Sequence, residues 1–307
     1  MAISLLKTIC HFFKGLKLHE FSGENWRNDI IMKKIIFYVL IFLLIFVFIS
    51  GCCRCKIEFR RTPYPVDGRS FTPVDKWLAR ATPVIDDEEN SLNPYVLKII
   101  DAYPVDKSYP YRCKPMEYDL YNGVTQDLWY KGRIVAKAHI NGTRCSYCCG
   151  LTFEIFYRAM QLRNEQKGFD QDDFNGMTFY DLFNLLQLWY IEGEKDSPQK
   201  GIEYYRLGKK ITNWEEVKAG DFCDISRNNS TGHSIIFINW VRDDNGKIIG
   251  MRYFSSNSSG VGYGKEYFSD SGGKVLRDWV RLARVGSIEN YNKFDRTQIP
   301  IRKAYAP

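Results

Sequence analysis

Histidine is scarce, with four in 307 residues and only His139 and His233 beyond residue 51. Any chemistry in the body of the chain that needs an imidazole therefore has two candidates. No internal repeat and no low-complexity tract is present, which excludes solenoids and arrays. Charge of one sign is not concentrated either. From Cys52 onward there are 37 basic and 33 acidic side chains, a net +4 too dilute for a nucleic-acid footprint. The one long apolar run, Ile35 to Ile49, falls short of the ~20 residues of a comfortable membrane-spanning helix.

That run follows Lys33 and Lys34 and stops at Ser50-Gly51-Cys52, which is the architecture of a signal segment. The tetrapeptide Ile49-Ser50-Gly51-Cys52 resembles a bacterial lipobox. The resemblance implies lipid on Cys52, cleavage before it, and a body held outside the cytoplasm on the cell membrane or the outer membrane. An uncleaved anchor with Cys52, Cys53 and Cys55 beside the membrane is the other reading. Met32 stands directly before the lysine pair and is the expected start, leaving residues 1–31 as an extension without a fold.

Eight of the eleven prolines fall between Pro63 and Pro115. Three segments are therefore expected: an extension and signal over 1–51, a proline-rich extracytoplasmic arm over 52–90, and one domain over 91–307. Asn93-Pro94 opens a short helix there, with proline at its first turn. Strands are expected over Gln126–Tyr130 and Arg133–Ile140. A helix over Cys148–Asn164 carries a stripe of Leu151, Ile155, Ala159 and Leu162, widened by Phe156 and Met160. A second helix over Phe179–Tyr190 has Thr178 and Asp181 at capping-box spacing. Asp221–Ile225, His233–Val241 and Ile248–Ser255 read as consecutive antiparallel strands, with another over Trp279–Val285. Helices first and a sheet after them give an α+β class.

Cys148 opens the first long helix, where unpaired backbone N–H groups and the helix dipole favour a thiolate. Gly150 lets a substrate chain or a neighbouring strand approach closely. His233 begins a strongly apolar strand. The turn after that strand, Asp244-Asn245-Gly246, suits a three-residue loop with Gly246 left-handed. Pairing Asp243 with Lys247 then sets Asn257 opposite His233, on the same face, where its side chain would orient the ring. A two-residue turn would put Ser258 there instead.

Three motifs in this order resemble the NlpC-type and CHAP-type cysteine peptidases and amidases. They are Cys148-Cys149-Gly150-Leu151 at a helix start, Gly220-Asp221-Phe222 leading into a strand, and Gly232-His233-Ser234-Ile235 on the next strand. Tyr147 stands where aspartate is common in that family, and Cys149 where serine is usual. The resemblance covers residues 141–257. It implies a papain-like fold and a cysteine hydrolase acting on an amide bond in a cell-wall or envelope peptide. Cys148 would be the nucleophile, His233 the acid and base, and Asn257 the orienting residue, with no cofactor or metal and no nucleic acid involved.

Other readings stay open. Cys145 and Cys148 form a C-x-x-C that an exported thiol-disulfide oxidoreductase would present, although neither Pro198 nor Pro300 stands in a strand context suited to that family's cis-proline. Cys145, Cys148, Cys223 and His233 are four candidate zinc ligands with unusual spacing. His139 is the fallback base. A papain-like binding lipoprotein without activity is the remaining alternative.

Overall fold

The computed structural model describes residues 90–114, 117, 120–190, 198–288 and 291–301. The expected signal, the lipid site at Cys52 and the 52–90 arm, Asn90 apart, lie outside the described residues. No helix among the described residues is long and apolar enough to cross a membrane.

Among the described residues four α-helices and two antiparallel sheets make up an α+β fold. The helices are α1 (Asn93–Asp101), α2 (Cys148–Gln166), α3 (Phe179–Trp189) and α4 (Gln199–Tyr204). Strands β1 (Leu128–Tyr130) and β2 (Arg133–Ala136) form a hairpin. Strands β3 (Gly208–Ile211), β4 (Phe222–Ser226), β5 (Gly232–Arg242), β6 (Ile248–Asn257), β7 (Gly260–Tyr267) and β8 (Arg281–Val285) build a six-stranded sheet in the order β3-β8-β4-β5-β6-β7.

Helix α2 packs against α1 and lies over β5 and β6. Its apolar stripe is buried, and so are the polar residues Glu154, Arg158, Arg163 and Asn164 on the remaining face. Polar groups buried on a helix must be satisfied internally. The Glu154 carboxylate does so by accepting from Thr125 N at 2.6 Å, from Thr125 Oγ1 at 2.8 Å and from Arg158 at 3.1 Å. The core beneath is aromatic. Phe156 meets Trp189 at 5.1 Å between ring centroids, and Trp189 meets Phe222 edge-on at 5.2 Å, joining α2, α3 and β4. On the other sheet face Cys223, Ile225, Ile235 and Phe237 form a second cluster that includes Phe268 and packs against Trp214 and Trp240.

The Thr178 and Asp181 pair makes both bonds of the capping box, Asp181 N to Thr178 Oγ1 at 3.2 Å and Thr178 N to Asp181 Oδ2 at 2.8 Å. Gly220-Asp221 has a structural job. Gly220 has φ +93°, and a Cβ there would stand 2.9 Å from Asn93 Cβ, so α1 docks where only glycine leaves room. The fully buried Asp221 carboxylate accepts from Arg284 twice at 2.7 Å, from Asn93 Nδ2 at 2.8 Å and from Lys218 N at 2.8 Å. One carboxylate thus ties α1, the start of β4 and β8 together.

Candidate active site

The site forms where α2 begins. Tyr147 is extended at φ −130° and ψ 167° and precedes the first helical residue, Cys148, and no side chain caps this end. The segment before it is pinned on both sides. Arg112 N donates to Ser146 O at 2.8 Å, and Ser146 Oγ bonds Ser256 Oγ on β6 at 2.9 Å. The close approach expected at Gly150 is taken up by the chain itself, because a Cβ there would collide with the backbone carbonyls of Asn122 and Gly123. Gly150→Ala is expected to push the helix start off this loop. It should cost about 1–3 kcal/mol in a urea titration and slow alkylation of Cys148.

Cys148 and His233 come together. The Cys149 thiol, the His233 ring by hydrogen bond and by charge, and the Ser234 backbone N–H hold the Cys148 thiol well below its ordinary range, against burial, which acts the other way. Cys149 moves oppositely, pushed well above its range by donating to Cys148 and by burial. Burial, with the Cys148 charge behind it, also raises the Tyr111 phenol. A thiolate at a helix start beside an imidazole is a nucleophile with a proton donor at hand.

Asn257 does not join them, and this corrects the expected third residue. The turn is the expected one, with Asp243 N bonded to Lys247 O at 3.0 Å and Gly246 at φ +79°. Two irregularities along β5 and β6 offset each other, so the register at Ile236 opposite Phe254 is the one that would bring Asn257 to His233. The ladder ends there, however. Beyond it β5 stays paired with β4, His233 facing Ile225, while β6 stays paired with β7, Asn257 facing Gly260. The Asn257 Oδ1 accepts from Ser259 N at 3.0 Å and Ser259 Oγ at 2.6 Å, closing its own turn. The contact across the gap is Ser255 Oγ to Ser234 O at 2.7 Å.

The ring of His233 instead rests edge-on against Tyr253, 5.5 Å between centroids, and its buried Nε2 has no partner in the protein. The Tyr253 hydroxyl donates to Glu266 Oε1 at 2.9 Å, and Arg227 grips the same carboxylate at 2.6 and 2.5 Å. Burial works to raise Glu266, but Arg227 overrides it and holds the carboxyl below the usual range. Sequence reasoning missed Tyr253, Glu266 and Asp224. Asp224 alone left a signal, being a carboxylate two residues from Phe222 and so on the core-facing side of its strand.

The alternative partners lie elsewhere. His139 stacks edge-on with Tyr121 at 5.0 Å, with Nε2 3.8 Å from Glu117 Oε2. Cys145 is buried in the core, and the thiol bonded to Cys148 is that of Cys149. Cys223 faces the second cluster on the far side of the sheet. Among the described residues no three His, Cys, Asp or Glu side chains are grouped to hold a metal ion. Comparison with protein-family models, with curated proteins and with solved structures finds no match for this chain.

Proposed function

We propose that this chain is a cysteine hydrolase of papain-like design that cleaves an amide bond in an envelope peptide or related substrate, tethered to a membrane through lipid on Cys52. The observation that carries the reading is the Cys148 thiol at the start of α2, held well below its ordinary range by the Cys149 thiol and the His233 ring.

In this reading the Cys148 sulfur bonds to the substrate carbonyl carbon while the carbonyl π electrons move to oxygen. Backbone N–H groups of the uncapped first turn receive that oxyanion. The tetrahedral species collapses, the C–N bond breaks, and His233 gives its proton to the departing amine. Water, deprotonated by the same ring, then attacks the thioester, releasing the acid and restoring the thiolate. Tyr253, packed on the ring, takes the positioning role expected of Asn257.

Purified protein incubated with cell-wall peptide fragments should generate new amino termini, and Cys148→Ala should abolish them. Cys145→Ser should leave the rate within a few-fold, because Cys145 is not the thiol bonded to the nucleophile. Cleavage that persists in Cys148→Ala sinks the hydrolase, while loss of disulfide exchange in Cys145→Ser would turn the reading to an oxidoreductase.

A further inference from the structure

Behind the proposed base stands an ion pair that the mechanism does not use. Tyr253 on β6 pairs with Gly264 on β7, so Glu266, two residues along β7, shares the sheet face of Tyr253. The Tyr253 ring crosses over β7 to reach that carboxylate. A Cβ on Gly264 would stand 2.5 Å from Tyr253 Cζ and 2.7 Å from its hydroxyl oxygen, so the bare backbone of glycine is what gives the ring its place. Glu266 Oε1 accepts from the Tyr253 hydroxyl at 2.9 Å, and the same ring meets His233 edge-on, 5.5 Å between centroids.

Arg227 fixes the carboxylate in turn, with Nε 2.6 Å from Oε2 and a second nitrogen 2.5 Å from Oε1. A bidentate pair sets the plane of a carboxylate as well as its charge, and leaves it only the role of acceptor toward the tyrosine. The same arginine closes the loop that delivers His233. Its backbone N–H donates to Thr231 O at 2.9 Å, and its guanidinium donates to Gly232 O at 3.4 Å. Tyr253 is buried and the two charged side chains are only 17 and 20% exposed, so salt and water screen the network little. Around the His233 ring stand the Cys148 thiol from α2, Tyr253 from β6 and Glu266 from β7, while Asp224 on β4 acts by charge on the thiol.

We infer that Glu266 is a positioning residue of the site: gripped by Arg227, it fixes the Tyr253 hydroxyl, and the fixed ring holds the His233 imidazole toward the Cys148 sulfur. This rests on Cys148 and His233 being the catalytic pair. Glu266 touches no reacting atom. Without the bond to its hydroxyl, Tyr253 is held by packing alone, and the imidazole that rests on it gains rotamers of which only some reach the sulfur. The orienting part that a side chain bonded to the imidazole plays in a triad is carried here through an aromatic ring, with the carboxylate one group farther back.

The test needs no known substrate. Alkylation of Cys148 by iodoacetamide is followed against pH in the whole protein, with the site of modification confirmed by peptide mass mapping. Tyr253→Phe removes one oxygen and keeps the ring. It should raise the pH midpoint, the ionisation constant of the thiol falling about two- to tenfold, as for residues coupled within one hydrogen-bond network. The plateau at high pH, where the thiol is ionised in every variant, should stay at the parent rate. Glu266→Ala should do the same, and the two changes together no more than either alone. In a His233→Ala background both should be silent. A Tyr253→Phe profile identical to the parent overturns the inference. So does a Glu266→Ala effect that keeps its full size without His233, or one that lowers the plateau and leaves the midpoint in place, which is damage to the fold. Should Glu266→Ala fail to fold by circular dichroism, Tyr253→Phe with and without His233 decides alone. If His233→Ala itself leaves the Cys148 profile unchanged, the base assignment falls and takes this inference with it.

Discussion

Replacing His233 by alanine is expected to reduce turnover roughly a hundred-fold or more, because a positioned acid and base contributes about 10² to 10⁴. The same change should move the pH midpoint of Cys148 alkylation upward, toward the ~8.5 of an ordinary thiol. The sign follows from the site. The native thiol is held low by the Cys149 thiol and by the His233 ring, so its reactivity rises at a pH below that of an ordinary thiol. Without the ring the plateau is reached only at higher pH, and reactivity near neutrality drops. His139→Ala should change neither quantity, since that ring sits against Tyr121 and Glu117. Tyr253→Leu should give a smaller loss by freeing the ring to turn without removing it. The measurement is a pH titration of alkylation run beside the peptide assay, and a midpoint that responds to His139 in place of His233 would reverse the base assignment.

Arg284→Ala is expected to be the most damaging single change to the fold, at about 3–5 kcal/mol, because it strands the buried Asp221 carboxylate with only neutral donors. In a domain of this size that corresponds to a fall in Tm of roughly 10 °C. Adding Asp221→Asn to the variant should recover part of the loss by removing the stranded charge. A loss below about 1 kcal/mol, as for a surface pair, would mean that Asp221 is hydrated in the folded protein.

What the sequence revealed tracks how local each signal is. The capping box at Thr178 and Asp181, the left-handed Gly246 turn and the helix beginning at Cys148 are written in adjacent residues, and the structure has each of them. Strand β7 went unread because Gly260, Gly262 and Gly264 break its apolar alternation. It forms through an unbroken ladder with β6 from Tyr267 to Gly260, a tertiary cause. Strand β3 is short, with exposed Lys209 and Lys210 at its centre, and carries no apolar run to read. Cys148 and His233 could be named because so few histidines compete, and both stand where local pattern puts them. Asn257 failed although the register was right, because a register says which residues would face each other if two strands stay paired. It does not say where they part. The divergence of β5 from β6 is fixed by their other neighbours, β4 and β7, and by the Ser146 to Ser256 bond. The Asp221 motif was legible as a lead into a strand, yet its role as an anchor for α1 and β8 depends on Asn93 and Arg284, both remote in sequence.

The docking of α2 on β5 also decides when the protein becomes reactive. The Thr152 to Ser234 bond that joins the two elements closes over 82 residues of chain, and the ring and N–H that lower the Cys148 thiol arrive with that same strand. Loop closure over such a span comes late relative to the turns and helices within it. Until then the share of that lowering that His233 and Ser234 supply is missing, and of the groups named only the neighbouring Cys149 can act on Cys148. The part of the thiol's ionisation that depends on β5 therefore arrives only when the sheet is complete, and a partly folded molecule carries a less ionised and less readily oxidised thiol.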